Sequence, residues 1–179
     1  MKFEIPFVEQ VYKSQTKLNF EIAWKENLKK SRNQLFIYIP ILALGVLMVS
    51  GKENNGYILI FMGILGITIY LNYLNNYFQQ KKKYFLLIEE EAKQELKRNF
   101  INIWEFDEDF FRIKSYKYEA KFNWIAFKGF RNIQNNIFLD LNSGYVSSYI
   151  LSQEEIGVEN FKNVISFLER KLNNRSSIK

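Results

Sequence analysis

Two runs of carboxylates are the residues of this chain that could do chemistry. Glu89–Glu91 lies in a stretch with charged pairs at helical i,i+4 spacing, and Asp107–Asp109 separates two aromatic segments. Carboxylates can serve as general acids and bases, and at suitable spacing they bind cations. Adjacent carboxylates on a helix point in different directions, and the second run lacks the further ligand spacing of a calcium loop. We therefore predict that neither run is a catalytic or metal site.

The composition excludes further kinds of chemistry. The chain has 179 residues with no His and no Cys, which rules out His general bases, Cys nucleophiles, disulfides and His- or Cys-ligated metals. It contains no phosphate-binding Gly-Lys-Ser/Thr loop, no Gly-x-Gly-x-x-Gly and no Gly-x-Ser-x-Gly. We predict a protein that is not an enzyme and that carries no cofactor.

An aromatic segment with basic neighbours superficially resembles a sheet on which nucleic-acid bases stack. Its residues are Phe122, Trp124, Phe127 and Phe130, with Lys121, Lys128 and Arg131. The formal net charge of the chain is +6, but residues 84–179 carry equal numbers of basic and acidic groups. Phosphate neutralisation supplies much of nucleic-acid affinity, so this neutral half favours a sheet core, and we predict no nucleic-acid partner.

Two apolar segments occupy the middle of the chain. The uncharged intervals are residues 33–51 and 54–80, and the turn between the apolar segments is polar and contains Gly51 and Gly56. About 20 residues of helix cross the hydrocarbon core of a bilayer. We predict a transmembrane helical hairpin over residues 35–74, with spans at about 35–50 and 57–74 and an outside loop at 51–56. The alternative is a hairpin buried in a soluble bundle, but residues 35–49 lack the polar stripe of a soluble helix.

Basic residues precede and follow the hairpin but are nearly absent from the loop that joins its two spans. Four precede the first span and three follow the second, whereas the loop has one Lys and one Glu. Positive residues stay on the cytoplasmic side, so we predict a multi-pass protein of the cell (inner) membrane with both termini cytoplasmic. The N-terminus lacks the apolar region of a cleavable signal, and the first span is expected to act as an uncleaved anchor. The residues predicted to contact the membrane surface are Lys29, Lys30, Arg32, Lys81, Lys82 and Lys83.

The remaining segments predict an α+β organisation. Residues 1–34 form a cytoplasmic segment with an edge strand at 2–8 and a helix at 17–33, and residues 75–98 extend the second membrane helix. Residues 99–172 form a small antiparallel sheet closed by an amphipathic helix, because the period changes and β-branched and aromatic residues alternate with turn chemistry. The predicted strands are Phe100–Phe106, Phe110–Tyr118, Ala120–Asn132, Ile137–Leu141 and Tyr145–Leu151.

The final helix has a start signal and one apolar face. Ser152 followed by Glu155 fits a capping box, and the face comprises Phe161, Val164, Ile165, Leu168 and Leu172. We expect this face to close one end of the sheet; the alternative is a helix that lies on the membrane. Residues 173–179 are expected to be a flexible tail.

The order of these elements resembles the YcxB-like family of bacterial membrane proteins, best over residues 99–172. The resemblance is carried by Phe106–Asp109, Phe122–Ile125, Ile137–Leu139, Tyr149–Glu155 and the helix at 161–172. Family members usually have Ile-Pro-Lys or Ile-Pro-Arg near the strand-to-helix passage, where this chain reads Tyr149-Ile150-Leu151-Ser152. The resemblance implies a cytoplasmic sheet capped by one helix, similar to a pleckstrin-homology-type fold, and it implies no catalytic residues.

The expected function follows from an anchored domain without a catalytic constellation. We predict a non-enzymatic interaction module, held at the cytoplasmic face, whose partners are the lipid bilayer and either another protein or further copies of itself. The alternative is an immunity-type protein that protects the membrane against a bacteriocin or toxin. An enzyme or transporter is disfavoured because neither predicted span contains an ionisable Asp, Glu, Lys or Arg.

Overall fold

The structure, a computed structural model, describes residues 1–98, 100–142 and 148–172. The chain is α+β, as predicted, and it divides into two compact units. The hairpin unit comprises residues 18–87, and the sheet unit comprises residues 1–17 together with 88–179. The elements in chain order are β1 (Lys2–Pro6), α1 (Glu9–Ser50), α2 (Gly56–Arg98), β2 (Ile101–Phe106), β3 (Phe110–Lys114), β4 (Glu119–Asn123), a 3-10 turn (Trp124–Ala126), β5 (Phe127–Ile133), β6 (Asn136–Leu141), β7 (Ser148–Ser152), α3 (Gln153–Ile156) and α4 (Val158–Leu172).

Two long helices joined by a tight turn form the apolar middle of the chain. α1 has 42 residues and contains Pro40, and α2 has 43 residues. Gly51 donates its backbone N–H to the carbonyl of Leu47, and Lys52 adopts a φ of 66° to reverse the chain. The helix predicted at 17–33 and the extension predicted at 75–98 are therefore continuous with the apolar segments, and α1 begins earlier than expected, at Glu9.

The strands form two antiparallel sheets instead of the one predicted. The first has the order β1-β2-β3-β4 and the second β5-β6-β7. The single strand predicted at Ala120–Asn132 is wrong, because the 3-10 turn at Trp124–Ala126 interrupts it. The Asn123 side chain accepts the Ile125 N–H at 3.1 Å, and the Trp124 indole N–H donates to the Asp107 carbonyl at 2.9 Å. These two hydrogen bonds hold the chain in a turn where the aromatic pattern alone suggests a continuous strand.

The other strand predictions need smaller corrections. The strand predicted at Phe110–Tyr118 is β3, which ends at Lys114. Residues 115–118 form a turn that is closed by the Ser115 N–H donating to the Tyr118 carbonyl at 2.8 Å. The last strand, predicted at Tyr145–Leu151, spans Ser148–Ser152, and residues 145–147 lie outside the described part of the chain.

The N-terminal strand belongs to the sheet unit. β1 pairs antiparallel with β2, from Lys2 opposite Glu105 to Pro6 opposite Ile101, and Pro6 lies on an edge strand as predicted. The sequence-based boundaries placed residues 1–34 in a segment of their own, whereas the compact units divide α1 after Lys17. In chain order, the hairpin unit is thus inserted between two strands that pair with each other.

An aromatic core lies between the two sheets and the last helix. It includes Phe106 and Phe111 from the first sheet, Leu139 and Leu151 from the second, and Leu168 from α4. Phe111 and Leu168 are completely buried. Phe138 is also completely buried but alternates to the opposite face from its neighbours Ile137 and Leu139, so the second sheet is covered on both faces there.

The closing helix forms as predicted, with one interruption. Ser152 and Glu155 make the capping box, but the helix it caps, α3, ends after Ile156. Gly157, at a φ of 81°, separates α3 from α4. The predicted apolar face is buried except for half-buried Ile165, and Phe167 joins it. This face is used in the core, which disfavours the alternative of a helix lying on the membrane, and the predicted tail at 173–179 lies outside the described residues.

Candidate functional site

Glycines bring the two helices of the hairpin unit into close contact. A Cβ atom on Gly45 would lie 2.7 Å from the Ile60 backbone nitrogen and 2.8 Å from the Gly56 carbonyl oxygen. A Cβ atom on Gly63 would lie 2.6 Å from the Leu42 Cβ. Small residues of this kind allow helix backbones to approach each other closely, a feature common where helices pack in membranes.

Most apolar side chains of the hairpin face outwards. In the most hydrophobic 18-residue windows of α1 and α2, only 6% and 11% of the residues are buried. The most exposed large side chains of the two windows include Phe36, Leu47, Ile58 and Phe61. Both helices are long and apolar enough to cross a membrane by length and composition, and their apolar surface has no cover within the hairpin.

Aromatic rings gather on the hairpin at the end away from the turn. Trp24 of α1 packs against Tyr73 and Tyr77 of α2, with ring centroids 5.8 and 5.3 Å apart. Phe20 follows one turn away and packs against Tyr84 at 5.1 Å. Tyr and Trp favour the membrane–water interface because one end of each ring system is apolar and the other polar.

The six basic residues predicted to contact a membrane surface belong to the same two helices, close in sequence to these rings. Lys29, Lys30 and Arg32 of α1 are exposed, as are Lys82 and Lys83 of α2. Lys81 is half-buried, with its Nζ 5.9 Å from the Tyr77 ring centroid. Among the described residues, none of the six forms an ion pair. Their charges are therefore free to interact with an external anionic group.

The carboxylates Asp107–Asp109, in the turn between β2 and β3, make structural contacts. Glu108 accepts a hydrogen bond from Arg170 at 2.6 Å and pairs with Lys171. The hydrogen bond from Lys171 is the main reason that the pKa of Glu108 is lowered. The Asp107 side chain accepts the Asp109 N–H at 3.2 Å, a hydrogen bond within the turn. Glu108 thus connects the β2–β3 turn to α4, and Asp107 stabilises the turn itself.

The other carboxylate run contributes one residue to a network that joins three segments. Glu91 of α2 accepts a hydrogen bond from the Tyr12 hydroxyl of α1 at 2.6 Å and one from Lys117 in the β3–β4 turn at 2.7 Å. The Lys117 hydrogen bond, followed by that of Tyr12, lowers the pKa of Glu91. Glu89 and Glu90 are exposed and point elsewhere, as expected for adjacent carboxylates on a helix.

Several polar groups near this network are withdrawn from water. Burial raises the pKa of Glu95, whose Oε2 atom has no hydrogen-bond partner among the described residues. Burial also raises the pKa of the Tyr149 hydroxyl to about 12, with a smaller contribution from Tyr118. On the other side of the unit, burial raises the pKa of Glu155, which accepts from Gln15 and the Ser152 N–H, both at 2.6 Å.

Two clefts open on the sheet unit. The larger, about 460 Å³, lies between the β2–β3 turn and α4 and is lined by Phe106, Asp107, Ser166 and Arg170 among others. The smaller, about 150 Å³, is lined mainly by polar side chains such as Gln15 and Asn136. Among the described residues, no group of three or more acidic side chains could hold a metal ion.

The aromatic residues that resembled a base-stacking surface lie inside the sheet unit. Trp124 and Phe127 are buried in the core, and Phe122 and Phe130 pack against it. Arg131 pairs with Asp140 at 2.7 Å through its Nε atom. The rings are therefore occupied by packing and do not form an exposed platform.

No protein-family model, no curated protein and no solved structure matches this chain. The candidate site of the hairpin unit is thus defined by geometry alone: an outward-facing apolar surface, a layer of Trp and Tyr, and a flanking set of unpaired basic residues. Sequence reasoning identified the apolar surface and the basic residues. It did not single out Phe20 and Trp24, although their i,i+4 spacing on a helix was a usable signal.

Proposed function

We propose that this protein is a non-enzymatic interaction module that is anchored in a membrane by residues 35–74. The observation that carries the proposal is the outward orientation of the hairpin's apolar side chains, because a soluble helix of this length normally buries one apolar face and exposes a polar one. A bilayer supplies the apolar surroundings that these side chains lack within the hairpin unit.

The proposed orientation has both termini in the cytoplasm. Basic residues lie at the open end of the hairpin, and the turn at 51–56 carries one Lys and one Glu, which is the asymmetry that the positive-inside rule describes. Lys29, Lys30, Arg32 and Lys81–Lys83 would then meet the cytoplasmic surface of the cell (inner) membrane. The domain at residues 99–172 would then face the cytoplasm, as both termini do.

The sheet unit is proposed to be the part that binds a protein partner or a second copy. It has an aromatic core of its own, and it leaves Ile125 and Val158 more than half exposed. The proposal that this unit is a cytoplasmic, pleckstrin-homology-like domain rests on the YcxB-like resemblance; its antiparallel strands and C-terminal helix support it, whereas the division into two sheets differs from the single sheet that the resemblance implies. Membership of that family remains part of the proposal.

Topology mapping tests the anchor. Alkaline phosphatase, active only outside the cytoplasm, and green fluorescent protein, active inside, are fused in turn at Asn54 and after residue 172. We expect phosphatase activity at Asn54 only and fluorescence at the C-terminal fusion only. A full-length protein that stays in solution without detergent as a compact monomer would contradict the anchor.

Affinity purification from a detergent extract tests the interaction role separately. We expect a stoichiometric partner or a defined homo-oligomer to be recovered with the full-length chain. A detergent-bound monomer without partners would leave the anchor intact and contradict the interaction role.

A further inference from the structure

We propose that one face of α1, formed by Lys25, Lys29 and Arg32, binds the headgroups of anionic phospholipids selectively. This inference rests on the proposed membrane anchor and specifies which lipids surround it. The three residues are spaced i, i+4 and i+7, so they lie along one face of the helix. All three side chains are exposed, and the face therefore presents three cations in a row.

The face lies in a band that contains the entire charge excess of the protein. We define the basic band as residues 24–32 of α1 and 72–83 of α2, which hold seven basic residues and one acidic residue, Glu26. The formal net charge of the whole chain is +6, so the remainder of the chain is neutral. Charge of one sign concentrated in one band favours a ligand of the opposite sign.

The two helices place this band at one level. Trp24 contacts Tyr77, and positions on both sides of that contact also face each other, from Phe20 opposite Tyr84 to Gly63 opposite Leu42. The cationic face of α1 therefore lies level with residues 72–80 of α2, which contain no charge. No carboxylate on α2 opposes it at that level.

The depth of the face matches the headgroup layer. At 1.5 Å per residue, Arg32 lies about 27 Å and Lys25 about 37 Å along α1 from its end at Ser50. The hydrocarbon core is about 30 Å thick, so the face begins at the edge of the core and extends through the headgroups. Long basic side chains at such positions extend toward the lipid phosphates.

Acidic neighbours do not neutralise the face among the described residues. None of the three basic side chains forms an ion pair there. Glu21 is spaced i,i+4 from Lys25 and Glu26 is spaced i,i+3 from Lys29, but neither carboxylate forms an ion pair with these residues among the described residues, and the face keeps a net positive charge. Zwitterionic headgroups offer no net charge to this surface, whereas phosphatidylglycerol and similar lipids do.

Lipid co-purification tests the inference with the full-length chain. The protein is equilibrated in mixed micelles holding equal amounts of phosphatidylglycerol and phosphatidylcholine, and the lipids that remain bound are measured by mass spectrometry. We expect phosphatidylglycerol to be enriched at least several-fold, because each basic residue near an anionic surface contributes up to roughly a factor of five. The enrichment should fall as salt is raised, because salt screens this attraction.

A matched pair of triple variants isolates the face. The first carries K25Q, K29Q and R32Q, and the control carries K93Q, K128Q and K162Q, which are exposed residues outside the band. Each variant lowers the formal net charge to +3. We expect the first to lose most of the enrichment, although Lys30 and Lys81–Lys83 remain, and the control to keep it in full. Circular dichroism in the near ultraviolet checks that both variants retain the wild-type fold.

The failure of this inference can be told apart from the failure of the anchor. Wild-type protein that enters micelles but binds both lipids equally would overturn the lipid selectivity and leave the anchor standing. Equal loss of enrichment in the two triple variants would also overturn it, because overall charge would then suffice. Protein that remains outside micelles would overturn both proposals.

Discussion

The two units contain the same kinds of apolar residue and use them in opposite ways. In the sheet unit, Phe106, Phe111 and Phe138 are at most 2% exposed. In the hairpin unit, Phe36 and Phe61 are 74% and 68% exposed. The side-chain types are alike, so the difference comes from what each segment can pack against: two sheets and a helix in one case, a single neighbouring helix in the other.

The comparison shows why exposed apolar residues carry more information than buried ones. Burial of a Phe in a core is the ordinary outcome of the hydrophobic effect and says little about function. A long, continuous surface of exposed apolar residues marks a site of contact with a membrane or another protein. Matched substitutions in the core of the sheet unit and on the outer face of the hairpin therefore test this difference directly.

The largest effect on stability is expected from removing a large side chain from the core of the sheet unit. Phe111→Ala removes a completely buried ring that packs against Trp104, Phe122 and Phe127, and such a change costs about 3–5 kcal/mol in the free energy of unfolding. Chemical denaturation followed by Trp fluorescence measures it. Ile125→Ala, at a position that is 70% exposed, is the control and should change stability by less than about 0.5 kcal/mol. Equal effects would contradict the core assignment.

A charge placed on the outer face of the hairpin should have a slightly smaller effect. Ile64 lies near the middle of the second span and is 53% exposed. Ile64→Asp is expected to disfavour membrane integration by about 3 kcal/mol, because a carboxylate in the hydrocarbon core costs that much on an insertion scale. The measurement is the fraction of protein that resists alkaline extraction from membranes.

Val158→Asp provides the matched control for that substitution. Val158 is equally exposed, at 53%, but begins α4 of the sheet unit, where an acidic residue is favourable at the start of a helix. Membrane integration should be unchanged. If Ile64→Asp instead left integration intact and increased solubility, the hairpin would be facing water and the comparison between the units would fail.

Close packing within the hairpin can be disturbed at Gly45. An alanine there would bring its Cβ atom within 2.8 Å of backbone atoms of α2, which cannot rotate away, and overpacking of this kind costs about 1–3 kcal/mol. Because the chain has no Cys, Cys introduced at Leu47 and Ile58 can carry spin labels for distance measurement. Gly45→Ala should lengthen and broaden the distance distribution. Gly51→Ala meets no atom closer than 3.4 Å and should leave it unchanged.

The sequence predicted the hairpin better than it predicted the sheets. Uninterrupted apolar segments and a turn with Gly51 define two helices without reference to any other part of the chain. The break between β4 and β5 depends on the Trp124 indole reaching the Asp107 carbonyl, 17 residues away, and no local pattern encodes such a contact. The pairing of β1 with β2 joins strands separated by the entire hairpin unit, and the network of Tyr12, Glu91 and Lys117 depends on the same long-range closure.

That network gives the smallest effect, which depends on pH. The pair of Glu91 and Lys117 is about 40% exposed on each side, so its contribution is that of a surface ion pair, about 0.2–1 kcal/mol. The pKa of Glu91 is lowered from 4.5, chiefly by the Lys117 hydrogen bond, and that of Lys117 is raised from 10.5, chiefly by the same bond. The stabilisation is therefore complete between these two ordinary values; it is lost below 4.5 as Glu91 is protonated and above 10.5 as Lys117 is deprotonated.

We expect Lys117→Gln to lower stability by up to about 1 kcal/mol at pH 7 and the difference from wild type to shrink toward pH 3 in denaturant titrations. Lys128→Gln, at an exposed lysine with no ion pair among the described residues, should show no such dependence. A difference at pH 3 as large as at pH 7 would mean that Lys117 acts through contacts other than Glu91, such as the Tyr116 ring 5.5 Å from its Nζ.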